Sequence, residues 1–152
     1  MLTVREAKQE DIPRILELYE QLALNPAELE SLQTEPEFAG EMFREMAEMD
    51  SYHLLVAETD GELVGTTVLV VLPGLARGIS RWGVVEYMVV NEAHRSRGIG
   101  QALLDRAAEL AQAAGCYKIM LGSNKKRRDA HRFYRKAGYE ATHEGFTRYF
   151  KR

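Results

Sequence analysis

The spacing of apolar residues predicts four helices. Apolar side chains recur every three or four positions over residues 12–22 and again over 101–114, as in a helix with one buried face. A further helix is expected at about 37–49, after the Asn25-Pro26 and Glu35-Pro36 breaks, and another at about 128–137, before Gly138.

Runs of apolar and β-branched residues predict six to seven strands. The turn Asp60-Gly61 joins two of them as a hairpin, and Pro73-Gly74 is expected to end the second. Because hairpins join some strands and helices separate others, the predicted fold is α/β (α+β) with one mixed, twisted sheet. The predicted strands are residues 2–5, 52–58, 62–72, 81–90, 117–121, 139–143 and 146–150.

The segment Arg95-Ser96-Arg97-Gly98-Ile99-Gly100 stands between a predicted strand and a predicted helix. A glycine-containing turn at a helix N-terminus brings backbone N–H groups to one spot and can hold an anion. A P-loop needs Lys and then Ser or Thr after its last glycine, whereas Gln101 follows here, and a dinucleotide fingerprint needs glycine where Arg95 stands. The segment therefore predicts a phosphate site that is neither a P-loop nor a dinucleotide-binding loop.

The pattern R-x-x-G-x-G directly after a strand resembles the pyrophosphate loop of the GNAT superfamily of acyl-CoA-dependent N-acyltransferases. Residues 130–139 resemble that superfamily's closing helix, residues 57–65 its central hairpin, and residues 4–13 its opening strand and helix. The resemblance covers nearly the whole chain in the expected order. It implies a single N-acetyltransferase domain over residues 1–152, a GNAT-like sheet whose strands 4 and 5 splay apart, and acetyl-CoA as cosubstrate.

The resemblance also implies which residues hold acetyl-CoA. The main chain of the fourth predicted strand, residues 81–90, would form hydrogen bonds with the pantetheine arm. The N–H groups of the loop after it would bind the pyrophosphate. Relatives place an asparagine seven residues before the helix tyrosine, where this chain has Arg127, so Asn124 is an alternative cofactor contact. The implied cofactor-binding residues are Met88, Val89, Val90, Arg95, Ser96, Arg97, Gly98, Ile99, Gly100, Gln101, Asn124, Arg127 and Tyr134.

The implied reaction is direct attack of a primary amine on the thioester in a ternary complex. An alkylammonium of pKa about 10.4 is neutral about one part in a thousand near pH 7.4, so deprotonation costs roughly 4 kcal/mol. Glu86 interrupts an otherwise apolar strand, and strict alternation puts it on the face of Met88 and Val90. Three roles for Glu86 stay open: base or water relay, anchor for the substrate ammonium, and purely structural carboxylate.

Tyr134 is the second candidate catalytic residue. The resemblance implies that it protonates or hydrogen-bonds the departing CoA thiolate, and the alternative is packing, since Ala130, Phe133 and Ala137 share its helix spacing. The oxyanion of the attacked thioester would meet the backbone N–H of Met88 or its neighbour.

Charge is divided unevenly along the chain, whose formal net charge is −3. Residues 1–92 carry 6 basic and 18 acidic residues, and residues 93–152 carry 14 basic and 5 acidic ones. This suits a polyanionic cofactor on the basic part and a cationic substrate on the acidic part, although ordinary solvated surface gives the same counts.

Other features narrow the class of protein. Cys116 is the single cysteine, so no internal disulfide forms, and the four histidines have no zinc-site spacing, so no metal is expected. The first residues lack the regions of a signal peptide and no long apolar run occurs, which favours a cytoplasmic location without membrane contact. One basic cluster, 125–128, is too small a patch for nucleic acid. A homodimer is left open.

The amine substrate is specified less well than the cofactor. Residues 123–134, 51–54 and 60–65 resemble the aminoalkylphosphonate N-acetyltransferases within the superfamily. Small amines with a phosphonate or carboxylate are therefore candidates, beside aminoglycosides, polyamines, amino sugars, protein N-termini and lysines. An acyl-CoA sensor without turnover is the alternative function.

Overall fold

The computed structural model describes residues 1–78 and 80–151, which fall into two compact units. The first unit, Met1–Met120, is built on the sheet, and the second begins at Leu121. The strands are β1 Leu2–Glu6, β2 Tyr52–Thr59, β3 Glu62–Gly74, β4 Ser80–Val90 and β5 Cys116–Leu121. The helices are α1 Ile12–Glu20, α2 Pro26–Leu32, α3 Pro36–Ala47, α4 Ile99–Ala113 and α5 Arg128–Lys136, with 3-10 turns at Gln9–Asp11 and Glu92–His94.

The strands lie in the order in which they occur in the chain, β1-β2-β3-β4-β5. Strands β1 to β4 are antiparallel neighbours. Helix α4 connects β4 to β5, the kind of crossover that parallel neighbours need, so the sheet is mixed as predicted. The hairpin turn is also confirmed, because Asp60 and Gly61 have φ of 51° and 78°.

The predicted number of strands is wrong. Among the described residues the sheet has five strands, and the expected pair at 139–143 and 146–150 forms none. The aromatic side chains of Phe146, Tyr149 and Phe150 are exposed, so the alternation there buries no face, and an isolated two-stranded ribbon is marginal in water. The splay of strands 4 and 5 stays a prediction.

The predicted number of helices is wrong as well, because the described residues form five α-helices. The pair Asn25-Pro26, predicted to break the chain between helices, instead starts α2. The side chain of Asn25 accepts a hydrogen bond from the Glu28 N–H at 2.9 Å, and Pro26 occupies the first helical position, where its missing N–H is not needed.

The core fills both faces of the sheet. On one face α1 packs against a cluster of strand residues, and on the other α4 lies close to the sheet, since a Cβ on Gly65 would come within 3.1 Å of Ile99 and Leu103. This contact fixes the start of α4 against the middle of the sheet. The α1-side cluster contains Ile15, Leu54, Val56, Leu63 and Val68, and α4 buries Ile99, Leu103, Leu104, Ala107 and Ala111.

Among the described residues, none of the helices is both apolar enough and long enough to cross a membrane.

Candidate active site

A β-bulge interrupts β4 in the middle of the predicted site. Tyr87 and Met88 of β4 lie opposite the single residue Thr67 of β3. Tyr87 has φ 51°, in the left-handed region, which costs a residue with a Cβ about 1–2 kcal/mol. A bulge leaves the extra residue outside the regular ladder and re-aims the side chains around it.

The bulge determines which of the following residues of β4 lie on the same face of the sheet as Glu86. Directly opposed residues of neighbouring strands point to the same face, and the register opposes Glu86 to Val68, and Val89 to Thr66. Since Val68 and Thr66 are two apart on β3, Glu86 and Val89 share a face, and Val90 points to the other one. The prediction that Glu86 shares the face of the cofactor-binding residues at 88 and 90 is therefore wrong, because the extra residue shifts the alternation.

Thr67 supports the bulge from β3. Its side chain is fully buried, and its hydroxyl donates a hydrogen bond to the Glu86 carbonyl at 3.1 Å. The sequence pattern missed this residue. The signal was a hydroxyl pair, Thr66-Thr67, inside an otherwise apolar strand.

Tyr52 lies close enough to Glu86 and to Tyr87 to interact with them electrostatically, and Tyr19 neighbours both tyrosines. We call these four residues the tyrosine–glutamate patch: Tyr19, Tyr52, Glu86 and Tyr87. The rings of Tyr19 and Tyr87 lie 5.5 Å apart, tilted by 43°. Tyr19 and Tyr52 both pack against the core cluster of the α1 face. Aromatic faces beside a carboxylate can receive an ammonium group.

Burial raises the pKa of Glu86, Tyr52 and Tyr19 in this patch. It raises the pKa of the Glu86 carboxyl, because the charged form loses solvation. Burial raises the pKa of Tyr52, and the nearby Tyr87 and Glu86 raise it further. The pKa of Tyr19 is raised mainly by burial as well, so these two phenols keep their protons at neutral pH and can donate hydrogen bonds.

The loop before α4 has the backbone shape that an anion site needs. Ser96 and Gly98 have φ of 63° and 80°, and α4 begins at Ile99, two residues before the predicted start. The first helical hydrogen bond runs from the Ala102 N–H to the Gly98 carbonyl at 3.0 Å, and no side chain caps the helix. The N–H groups of residues 99–101 are thus the helix's first donors, directed out of its N-terminus.

The side chains of this loop differ in what they can contribute. Those of Arg95, Ser96 and Arg97 are exposed, whereas Ile99 is buried and offers only its backbone. Arg95 Nε donates to the Val90 carbonyl at 3.2 Å, so the chain itself already uses one of the main-chain groups predicted to bind pantetheine.

The second unit contains the other predicted residues, Asn124, Arg127 and Tyr134. Asn124 Oδ1 accepts a hydrogen bond from the Lys126 N–H at 2.9 Å, and its carbonyl accepts from the Arg127 N–H and from His131 Nε2, both at 2.9 Å. Asn124 therefore shapes the turn before α5. Tyr134 lies on α5, where its ring meets that of Tyr139 edge-on, with centroids 6.1 Å apart.

Within the described part of the chain, no group of three or more His, Cys, Asp or Glu side chains could hold a metal ion.

The chain belongs to the acetyltransferase (GNAT) family, whose model matches residues 6–139. The predicted family and enzyme class are thereby confirmed, and acetyl-CoA is the cosubstrate of that family.

Two curated relatives are named as N-acetyltransferases. The chain is 39% identical over 97 residues to an aminoalkylphosphonate N-acetyltransferase of Salmonella typhimurium, covering 63% of this chain and 62% of the relative. It is 36% identical over 81 residues to a glucosamine 6-phosphate N-acetyltransferase of Trypanosoma brucei brucei, covering 53% of each. These matches span about half to just under two thirds of the relatives' length.

One solved structure similar to the chain carries a different description. A transcriptional regulator from Bacillus halodurans C-125 superimposes with a TM-score of 0.90 at 29% identity, covering 99% of this chain and all of that one.

Proposed function

We propose that the protein transfers the acetyl group of acetyl-CoA to the primary amine of a small molecule, within a ternary complex. One observation carries the proposal: Glu86 and its tyrosines lie on the α1 face beside the bulge at Tyr87, while the same strand continues through the turn Glu92–His94 and the loop 95–98 to the N-terminus of α4, which no side chain caps. A carboxylate for an amine and N–H donors for a phosphate are thus held by one continuous segment.

The cofactor half of the proposal rests on backbone groups. The diphosphate would accept hydrogen bonds from residues 96–101, with Arg95 and Arg97 adding positive charge at the exposed side of the loop. The pantetheine arm would lie along residues 88–90. Asn124 and Arg127 stay candidates for further contacts to CoA.

The amine half rests on the tyrosine–glutamate patch. A positively charged amine is attracted to the Glu86 carboxylate and to the aromatic faces beside it. The raised pKa of Glu86 brings this carboxyl closer to the amine's own pKa, so proton removal, direct or through water, becomes less unfavourable. The ammonium anchor is the second role that this geometry supports.

The thioester carbonyl would place its developing negative charge against main-chain N–H groups at Tyr87 and Met88. The bulge supports this assignment, because it takes the extra residue out of the regular ladder with β3. The departing thiolate is assigned to Tyr134 by resemblance. Full proton transfer from a phenol to that thiolate runs uphill by about 2 kcal/mol, so a hydrogen bond suffices for the role.

The amine substrate is proposed to carry a phosphate or phosphonate. The two relatives act, by their names, on glucosamine 6-phosphate and on aminoalkylphosphonates, which share a primary amine and an anionic phosphorus group.

Thiol release from acetyl-CoA tests the proposal. The panel pairs 2-aminoethylphosphonate with ethylamine, and glucosamine 6-phosphate with glucosamine, and adds a peptide with a free N-terminus. Release that is faster with the phosphorus-containing member of a pair supports the full proposal. Release with the peptide alone overturns the small-molecule assignment.

A second candidate, an acyl-CoA sensor without turnover, is favoured by the likeness to a transcriptional regulator. The same panel separates the two functions. If calorimetry shows that acetyl-CoA binds but no amine in the panel causes thiol release, the sensor function is established and the enzyme function is contradicted.

A further inference from the structure

Gln21, the first residue after α1, bonds the segment between β4 and α4 with both ends of its side-chain amide. Its Nε2 donates to Asn91 Oδ1 at 3.0 Å, and its Oε1 accepts from the Glu92 N–H at 2.9 Å. These partners are 70 and 71 residues away along the chain. Gln21 is partly buried, so its bond to Asn91 is partly shielded from water, whereas its bond from the Glu92 N–H is exposed.

The direction of this chain of hydrogen bonds is fixed at one end. The Glu92 N–H can only donate, so it selects the oxygen of the Gln21 amide and leaves the nitrogen to donate to Asn91. Asn91 Nδ2 then donates to His94 Nδ1 at 3.0 Å. One polarity therefore runs from a backbone N–H through two amides to the imidazole.

Asn91 also ties this segment to the sheet. Its N–H donates to the Val64 carbonyl at 2.7 Å, and its carbonyl accepts from the His94 N–H at 2.8 Å. The loop 95–98 follows at once. Its exposed side chains offer little packing of their own, so its position depends on the residues before it.

We propose that Gln21 is a positioning residue for acetyl-CoA: it sets the position of the loop whose N–H groups bind the diphosphate. This inference rests on the proposed cofactor site. Tyr19, two residues earlier on α1, touches Tyr87 at the bulge, so one turn of chain holds both the amine side and the cofactor side of the site.

The variant Gln21→Met tests the inference, because it keeps the length and packing of the side chain and removes both hydrogen bonds. We expect the Kd of CoA and the KM of acetyl-CoA to rise about fivefold or more, since each bond is worth a few-fold. The kcat at saturating acetyl-CoA should stay close to wild type, and the midpoint of thermal unfolding should fall by no more than several degrees, which is about the effect of losing two hydrogen bonds. Gln112→Met, an exposed glutamine of α4, is the matched control and should change none of these.

A double-variant cycle gives a second readout. Because Gln21 bonds Asn91 as well as the Glu92 N–H, the variants Gln21→Met and Asn91→Ala combined should weaken CoA binding by less than the sum of the two single effects, whereas an additive result would contradict action through Asn91.

The outcomes separate the two proposals. Wild-type protein that does not bind CoA contradicts the proposed cofactor site itself. Wild type that binds CoA, with a Gln21→Met variant that binds equally well, overturns the positioning role. The positioning role is also overturned if Gln21→Met and Gln21→Glu lose CoA binding only at temperatures at which they have begun to unfold.

Discussion

The hydroxyl of Thr67 and the carbonyl of Glu86 are joined across the sheet by a 3.1 Å hydrogen bond, beside the residue at which β4 leaves its regular register. Thr67 is fully buried, so water cannot replace it as a donor. A side chain of β3 thus fixes the backbone from which the Glu86 carboxylate projects.

Replacing Thr67 by Val should lower both stability and turnover. Removal of a buried donor leaves the Glu86 carbonyl short of a partner and costs about 1–3 kcal/mol of unfolding free energy. The bulge then loses its support, so kcat should fall with the KM of acetyl-CoA nearly unchanged. Denaturant unfolding and steady-state kinetics measure the two effects.

Thr66→Val is the matched control for that experiment. Thr66 is also fully buried, and its hydroxyl donates to the Leu55 carbonyl at 2.7 Å, on the β2 side. A similar loss of stability with normal kcat is expected. Equal kcat values in both variants would contradict the role assigned to Thr67.

Replacing Glu86 by Gln should lower turnover in a pH-dependent way. If the carboxylate removes the amine proton, the deficit is large near neutral pH and shrinks at high pH, where the amine is already neutral. Rate profiles of both proteins between neutral pH and the pKa of the amine provide the check. A deficit that stays constant over this range assigns Glu86 to anchoring the ammonium instead.

The same substitution has a predicted sign for stability. Burial raises the pKa of Glu86 in the folded protein, so folding favours the protonated carboxyl. Its contribution is present below the unfolded-state pKa and is lost as pH rises through the window up to the folded value. Glu86→Gln should therefore gain stability relative to wild type above that window, and the gain should disappear below it in thermal melts.

Tyr87 offers a test of strain against function. Tyr87→Ala removes the ring and keeps a Cβ at φ 51°, whereas Tyr87→Gly removes both. The Gly variant should be more stable than the Ala variant by about 1 kcal/mol. Both should raise the KM of the amine, because both lose the ring that faces Tyr19. An unchanged KM in both would show that this ring is outside the amine site.

Gly98 precedes α4 with φ 80°, and nothing lies within 4 Å of a Cβ built there, so the requirement for glycine is conformational. Gly98→Ala should cost about 1 kcal/mol of stability. It should also raise the Kd of CoA in calorimetry, because the loop backbone shifts. Gly61→Ala, at φ 78° in the hairpin turn with equally open space, should lose similar stability and bind CoA normally. Normal binding by both variants would argue against the loop as the diphosphate site.

Replacing Tyr134 by Phe removes only the phenolic hydroxyl and keeps the ring that packs on Tyr139. Loss of a group that stabilises the leaving thiolate should lower kcat about tenfold or more, with little change in the KM of the amine. Stopped-flow detection of CoA release measures this step. Wild-type kcat in the variant would leave Tyr134 with packing alone.

Short-range signals in the sequence predicted much of the fold. Asp60-Gly61 specified its turn because few other dipeptides accept two positive φ angles. Helical spacing located α4, and the glycine loop before it had the order that indicated the family. The prediction of a break at Asn25-Pro26 is wrong because Asn as an N-cap and Pro at the first helical position also form a helix start, and here they begin α2.

The features that were missed depend on pairing between distant segments. Nothing in the letters around residue 87 indicates an extra residue, since a bulge exists only relative to the partner strand. Gln21 and Asn91 meet only after the sheet and α1 have packed. Sequence reasoning therefore identified Glu86 as a candidate and assigned it to the wrong face.

The additional residue in β4 lets one strand serve two sides of the protein. Up to Glu86 the even-numbered side chains of β4 point to the α1 face of the sheet, and beyond Met88 the odd-numbered ones do. Deletion of one residue here would leave the composition of β4 almost unaltered. Each of the following residues up to the loop would then point to the opposite face of the sheet. Strand length at this point is therefore a requirement of the proposed site.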